Sequence, residues 1–244
     1  MSFMGSNRRP ASRPACGECA SSGECFIGNL PEPARLRVIP LVSEQVFAKG
    51  DWLQRQGERA RHVGVVKLGT TMLLRSGRDG PPCPLGLFGS GLLLGLCDLA
   101  RQPNVLSCQA VSAGRACMLE LELIQQHDLL NRTLLTQVMA AHMRSHARLA
   151  YWAQVVRVRS APGRVAAALL ELIDVQHSCQ VRLPSYQNLA DILGMRRETI
   201  VRALATLEKQ YALVRHGRTY CEIDRDRLLA SMDMDLTEEG GRTE

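Results

Sequence analysis

The chain has 244 residues, 45% of them hydrophobic and 22% charged, with a formal net charge of +6. That is enough apolar material for one large or two modest globular domains, and it excludes a chain that stays disordered throughout. The mild basic excess suits a polyanionic partner without requiring one. No run reaches the roughly eighteen apolar residues of a membrane helix, and the N-terminus lacks the apolar core of a secretory leader, so no membrane partner and a cytoplasmic location are expected.

Residues 1–40 carry five prolines and the basic Arg8, Arg9 and Arg13, a composition that predicts an irregular arm. Three of the nine cysteines, Cys16, Cys19 and Cys25, cluster in it. In a reducing compartment such clustering points to metal or redox chemistry rather than to structural disulfides. Over residues 41–120 short apolar runs alternate with glycine turns, the texture of a small β-barrel or jelly roll.

Residues 121–158 contain no proline or glycine and are rich in good helix formers, which predicts one long helix over 121–160. Within it Leu135, Val138, His142, Ser145, Leu149, Trp152 and Val156 recur at alternating spacings of three and four, the seam of a two-stranded coiled coil and hence of a homodimer. A helix packed only on its own domain would give a similar pattern. Pro162-Gly163 reads as a hinge, after which residues 164–175 form a helix that opens a second domain over 161–232, followed by a flexible tail over 233–244.

The most specific signal lies between Pro184 and Lys209. Ala190, Gly194 four residues later and Ile200 six beyond that have the spacing of a helix-turn-helix: a small residue where two helices meet, a residue free to take positive φ in the turn, and an apolar anchor for the second helix. Leu189, Leu193, Met195 and Leu204 complete the apolar face. The second helix turns Arg196, Arg197, Glu198, Val201 and Arg202 outward at its N-terminal half, where such motifs enter the major groove. Arginine pairs bidentately with guanine and glutamate accepts from cytosine, so a carboxylate on this face signals base reading rather than phosphate attraction. Residues 213–215 and 220–223 flank His216-Gly217-Arg218 as a short hairpin, a wing whose Arg215, His216 and Arg218 are candidates for phosphate contact.

A cysteine arm, a β-rich domain, a long helix and a winged helix-turn-helix carrying Arg197-Glu198-Thr199-Ile200-Val201-Arg202 together resemble the Crp/Fnr superfamily of bacterial transcription regulators. The resemblance implies an α+β fold: a cyclic-nucleotide-binding-like β-roll, a dimerisation helix, and a DNA-binding domain with no enzymatic activity. Within the superfamily the chain is most similar to the Fnr branch. Cys16, Cys19 and Cys25 match that branch's C-x2-C-x5-C arm, and Cys117, before the long helix, takes the position of its fourth ligand. The resemblance therefore implies an oxygen-labile [4Fe–4S] cluster on Cys16, Cys19, Cys25 and Cys117. Zinc would accept the same four sulfurs. Glu18 and Glu24 add negative charge beside this site. Cys97 and Cys108 are competing fourth ligands, but their apolar neighbours suggest buried structural thiols, as for Cys83, Cys179 and Cys221.

Other members of the superfamily hold cyclic AMP through a glutamate and an arginine. The corresponding stretches here read Gly95-Leu96 and Leu106-Ser107, so no cyclic AMP is expected. The resemblance further implies a dimer on a pseudo-palindromic DNA site, with Glu198 and Arg202 reading core G·C pairs, and contact with RNA polymerase through residues 76–84. Arg197 and Val201 depart from the Fnr pattern. The alternatives are a regulator of this type sensing zinc, nitric oxide, thiol redox state or haem, the last through His62, His142 or His146, or a thiol redox protein using Cys16 and Cys19.

Overall fold

The computed structural model describes residues 16, 19–77, 80–217 and 219–237, the last five by backbone alone. Arg8, Arg9, Arg13, Glu18 and Arg218 lie outside the described residues. The chain divides into two compact units, Met1–Leu149 and Ala150–Glu244.

Among the described residues of the first unit, eight antiparallel strands form two four-stranded sheets. One runs in the order β1 (Val42–Phe47), β8 (Gly114–Glu120), β3 (His62–Leu68), β6 (Leu93–Leu94); the other in the order β2 (Trp52–Gln54), β7 (Ser107–Ala110), β4 (Thr71–Arg75), β5 (Cys83–Phe88). The glycines that punctuate this region in the sequence serve its tight corners. Gly95 has φ +69°, and a Cβ there would overlap the carbonyl oxygen of His62. Gly95→Ala is therefore expected to destabilise the first unit by about 2 kcal/mol or more, a loss measurable as a lower denaturation midpoint.

Ahead of the roll the arm is not irregular throughout. Residues 32–38 form helix α1 (Glu32–Val38), followed by a 3-10 turn, Ile39–Leu41. Pro31 caps α1 and Pro33 sits in its first turn, where the missing N–H removes no helical hydrogen bond.

The predicted single long helix is two helices, α2 (Leu121–Gln126) and α3 (Arg132–Val155). Asp128 between them has φ +46°, and Asn131 starts α3 by accepting the Leu134 N–H at 3.1 Å through its side chain. An aspartate in the left-handed region and an asparagine cap interrupt a helix without proline or glycine. One face of α3 carries Leu134, Val138 and Ala141 into a core shared with Phe26, Ile27, Leu30, Val65, Leu93 and Leu119. The α3 helix is thus packed on both the arm and the roll.

The second unit opens with α4 (Ala161–Gln176). Pro162 and Gly163 lie in its first turn, not in a hinge, and Ser160 caps it by accepting the Gly163 N–H at 3.0 Å. Helices α5 (Tyr186–Leu193) and α6 (Arg197–Lys209) follow. A three-stranded sheet has the order β10 (Leu213–His216), β11 (Tyr220–Ile223), β9 (Gln180–Arg182). Helix α7 (Arg225–Thr237) carries regular structure beyond the domain end expected at 232.

Candidate functional site

Ser185 caps α5, accepting the Asn188 N–H at 3.1 Å. Gly194 ends it at φ +62° with its N–H on the Ala190 carbonyl, so the turn needs the left-handed conformation that the glycine spacing implied. Arg164 adds a brace, donating to the Leu193 carbonyl at 3.1 Å and to the Val158 carbonyl at 2.8 Å. Ala190, Leu189, Leu193, Ile200, Ala203, Leu204 and Leu207 are all buried, while Met195 is only half-buried.

With that face fixed, Arg196, Arg197, Glu198, Val201 and Arg202 are all exposed on the opposite side of α6. Arg196 is the cap residue and makes no side-chain cap bond, and the first turn closes through the Thr199 N–H to the Arg196 carbonyl at 3.0 Å. His216 is exposed at the tip of the wing and stands 3.5 Å from Glu222. Arg215 has another task. It binds Glu208 of α6 through Nε at 3.0 Å and Nη2 at 2.5 Å. This pair pins the wing to the second helix and takes Arg215 out of the set available for phosphate.

The cysteine site is built from two ends of the first unit. Turns at residues 19–30 close through Ser22 N–H to Cys19 O, 3.0 Å, and Cys25 N–H to Ser22 O, 3.2 Å. Asn29 laces the loop from within, its Nδ2 donating to the carbonyls of Gly23 at 2.7 Å and Cys25 at 3.0 Å. Gly28 lies on the Ser22 backbone so closely that a Cβ would overlap its carbonyl oxygen. Asn29 and Gly28 are the signals that the spacing of the cysteines alone does not convey. Cys117 comes from β8, where it pairs with Glu44 on one side and Val65 on the other.

Cys16, Cys19, Cys25 and Cys117 line one cavity, walled by Ile27, Val65, Val66 and Lys67. Burial pushes the Cys117 thiol up to about 12. Burial also raises Cys25, against hydrogen bonds from the Gly28 and Ile27 N–H groups, and it raises Cys16, with the neighbouring Cys25 adding to the effect. Among the described residues no three His, Cys, Asp or Glu side chains converge tightly enough to hold a single metal ion.

Of the other cysteines, Cys108 and Cys221 are buried as expected, and burial pushes both thiols up to about 12. Cys83 and Cys179 are exposed and Cys97 is half-buried, contrary to expectation, because their neighbours in sequence do not cover them in space.

The coiled-coil seam also needs correction. Val138 is 3% exposed and Trp152 1% exposed, so both are interior residues of the chain. Ser145 and Leu149 are half-buried, while Leu135, His142 and Val156 are exposed. The outward apolar stripe instead takes in Leu135, Met139 and Met143, the methionines 54% and 59% exposed, flanked by His142 and His146. It is shifted around the helix because Val138 and Ala141 face the roll. A second cavity of the first unit is lined mainly by leucines with Gln54, Asn104, His142 and His146. Neither the glutamate nor the arginine of a cyclic-nucleotide site is part of that lining.

Residues 163–231 match the Crp-like helix-turn-helix domain. No curated protein matches the chain. Among solved structures, FixK2 from Bradyrhizobium japonicum is similar with 21% identity and a TM-score of 0.66, over 78% of this chain and 96% of that one. A transcriptional regulator of the CRP family from Thermus thermophilus has 18% identity and a TM-score of 0.62, over 77% and 96%. The c-di-GMP-responsive global regulator CLP of Xanthomonas campestris has 19% identity and a TM-score of 0.58, over 80% and 100%. No helix among the described residues is long and apolar enough to cross a membrane. Residues 163–231 are thus a Crp-like helix-turn-helix domain, carried by a chain with the fold of the Crp/Fnr-type transcription regulators.

Proposed function

We propose that the protein is a cytoplasmic, non-enzymatic transcription regulator. It binds a pseudo-palindromic DNA site as a homodimer, acts with RNA polymerase, and responds to oxygen through a [4Fe–4S] cluster on Cys16, Cys19, Cys25 and Cys117. The observation that carries the oxygen reading is the convergence of these four thiols, from positions about a hundred residues apart, on one cavity. Zinc would accept the same four sulfurs, so the choice of a multi-iron core rests on the match of the C-x2-C-x5-C arm to the Fnr branch. When bound, the cluster would supply an oxygen-labile cross-link between arm and β8, so that its loss signals air.

The chain's own residues link that cross-link to dimerisation. Phe26 and Ile27, next to Cys25, pack in one core with Val138 and Ala141 of α3. Arg144 of α3 donates to the Glu24 carbonyl at 3.2 Å and stands 3.6 Å from its carboxylate. Holding the loop in place holds the inner face of α3, and the outer face carries Leu135, Met139 and Met143 toward a second copy. Met139→Glu is expected to weaken the anaerobic dimer at least ~10-fold in analytical ultracentrifugation, since it places an unpaired charge in the seam. Val138→Ala, an interior truncation, lowers the denaturation midpoint instead.

The test of the cofactor is the visible spectrum and metal content of anaerobically purified protein, before and after air. Absorbance that bleaches, with about four irons per chain, is the expected result. A colourless zinc protein overturns the iron–sulfur reading and leaves the DNA-binding one standing. A second reading, a small, largely apolar effector that carries a hydrogen-bond acceptor, has one observation in its favour: Asn104, buried in the wall of the leucine-lined cavity, has an Nδ2 without a hydrogen-bond partner. Unexplained small-molecule mass in native spectra of the purified protein would support it, and its absence would count against it.

A further inference from the structure

Among the residues that line the cysteine cavity, Lys67 carries a positive charge. Between Val66 and Leu68 the pairing of β3 with β8 slips: Val66 faces Ala116 and Leu68 faces Arg115, so Lys67 is the additional residue of a β-bulge. A bulge turns a side chain away from the alternation of its strand. Two contacts fix this one. The Ser21 hydroxyl of the arm donates to the Lys67 carbonyl at 2.8 Å, and the Lys67 ammonium donates to Glu44 Oε2 at 2.7 Å. Glu44, 3% exposed, also accepts from Arg115 Nη1 at 3.0 Å. Two cations thus share one carboxylate, and the group keeps one positive charge over. Lys67 itself lines the cavity of the four thiols.

We infer that Lys67 is the built-in counter-charge of the cysteine cavity, a positioning residue that offsets the negative charge four thiolates and a metal–sulfur core concentrate there. The inference rests on the proposed iron–sulfur reading for the identity of the core. The charge relation concerns the chain alone. Four thiolates in a partly desolvated cavity repel one another, and a fixed cation at their wall opposes that repulsion where water is scarce. Lys67 acts electrostatically on Cys16, Cys19 and Cys117. Glu24, the acid of the 19–30 loop, faces Arg144. Because Ser21 holds the bulge carbonyl, the strand that supplies the cation also anchors the loop that supplies three of the sulfurs.

The test compares anionic iodoacetate with neutral iodoacetamide as alkylating reagents on reduced, metal-free, full-length protein, with each cysteine read by peptide mass spectrometry. The ratio of the two rates reports local potential and cancels general changes in accessibility. In Lys67→Met this ratio is expected to fall by about threefold at Cys16 and Cys19 and to stay constant at exposed Cys83. Lys67→Arg keeps it near the wild-type value. Glu44→Gln, which frees the ammonium, raises it. A second arm follows anaerobically reconstituted protein, in which Lys67→Met loses its visible absorbance in air about three times faster than wild type. An unchanged ratio in Lys67→Met, or a fall of equal size in Glu44→Gln, overturns the inference whatever the metal content. Wild-type protein that takes up no iron overturns the proposed cofactor, while the alkylation ratio still decides the role of Lys67.

Discussion

Serine in place of Cys25 is expected to reduce the iron of anaerobically purified protein from about four per chain to below about one and to remove its visible absorbance. Of the arm cysteines this one is set most firmly: Asn29 laces its carbonyl, and the Ile27 and Gly28 N–H groups point at its sulfur. A hydroxyl in that place is a poor ligand for iron and too short to span the same cavity. The neighbouring Phe26 and Ile27 keep their places in the core, so the variant should fold. Its DNA affinity should fall to that of air-exposed wild type. If the dimer is lost, one half-site is lost with it, and affinity on a full site drops by ~100-fold or more. Cys83→Ser, at an exposed thiol of β5, is the matched control and should change neither quantity. A Cys25→Ser protein that retains its iron would remove this residue from the ligand set.

The second large effect belongs to α6. Arg202→Ala is expected to weaken binding to the specific site by roughly 1–3 kcal/mol at fixed salt, while non-specific binding changes far less. Arg202 lies one turn beyond Glu198 on the exposed face of a helix whose other face is closed by Ile200, Ala203, Leu204 and Leu207. Truncating it removes a base contact without opening the core. Competitive titration against a site altered at one G·C pair separates base reading from phosphate attraction: the variant should no longer distinguish the two sites. Equal losses on specific and random DNA would assign Arg202 to the backbone instead.

Short-range stereochemistry explains which parts were legible beforehand. The helix-turn-helix could be read from Ala190, Gly194 and Ile200 because each answers a local demand: a close helix contact, a positive φ and an apolar anchor. The glycine punctuation announced a β-roll for the same reason. Boundaries that depend on single caps were misread. Asn131 begins a new helix inside a stretch that composition makes uniformly helical, and Ser160 turns Pro162-Gly163 into a helix start where a hinge was expected. Val138 and Trp152 belong to the interior and not to an outward seam, although both stripes of α3 are apolar at similar spacing. Only the packing of Val138 and Ala141 on Phe26 and Ile27 tells the inner stripe from the outer.

The chemical actors can be named from the amino-acid order: three clustered cysteines in the arm and an Arg-Glu-Arg face on a helix-turn-helix, whereas Cys117 as a fourth thiol comes only from the resemblance to the Fnr branch. The first two follow from residue type and spacing within a few turns of chain. The tertiary structure alone decided their company. It brought Cys117 to the arm, tied Arg215 to Glu208, and placed Lys67, at a bulge in β3, in the wall of the cavity that the four cysteines line. Such pairings join residues 7 to about 100 positions apart. They depend on strand register and on which face of a helix is buried, and no local pattern carries that information.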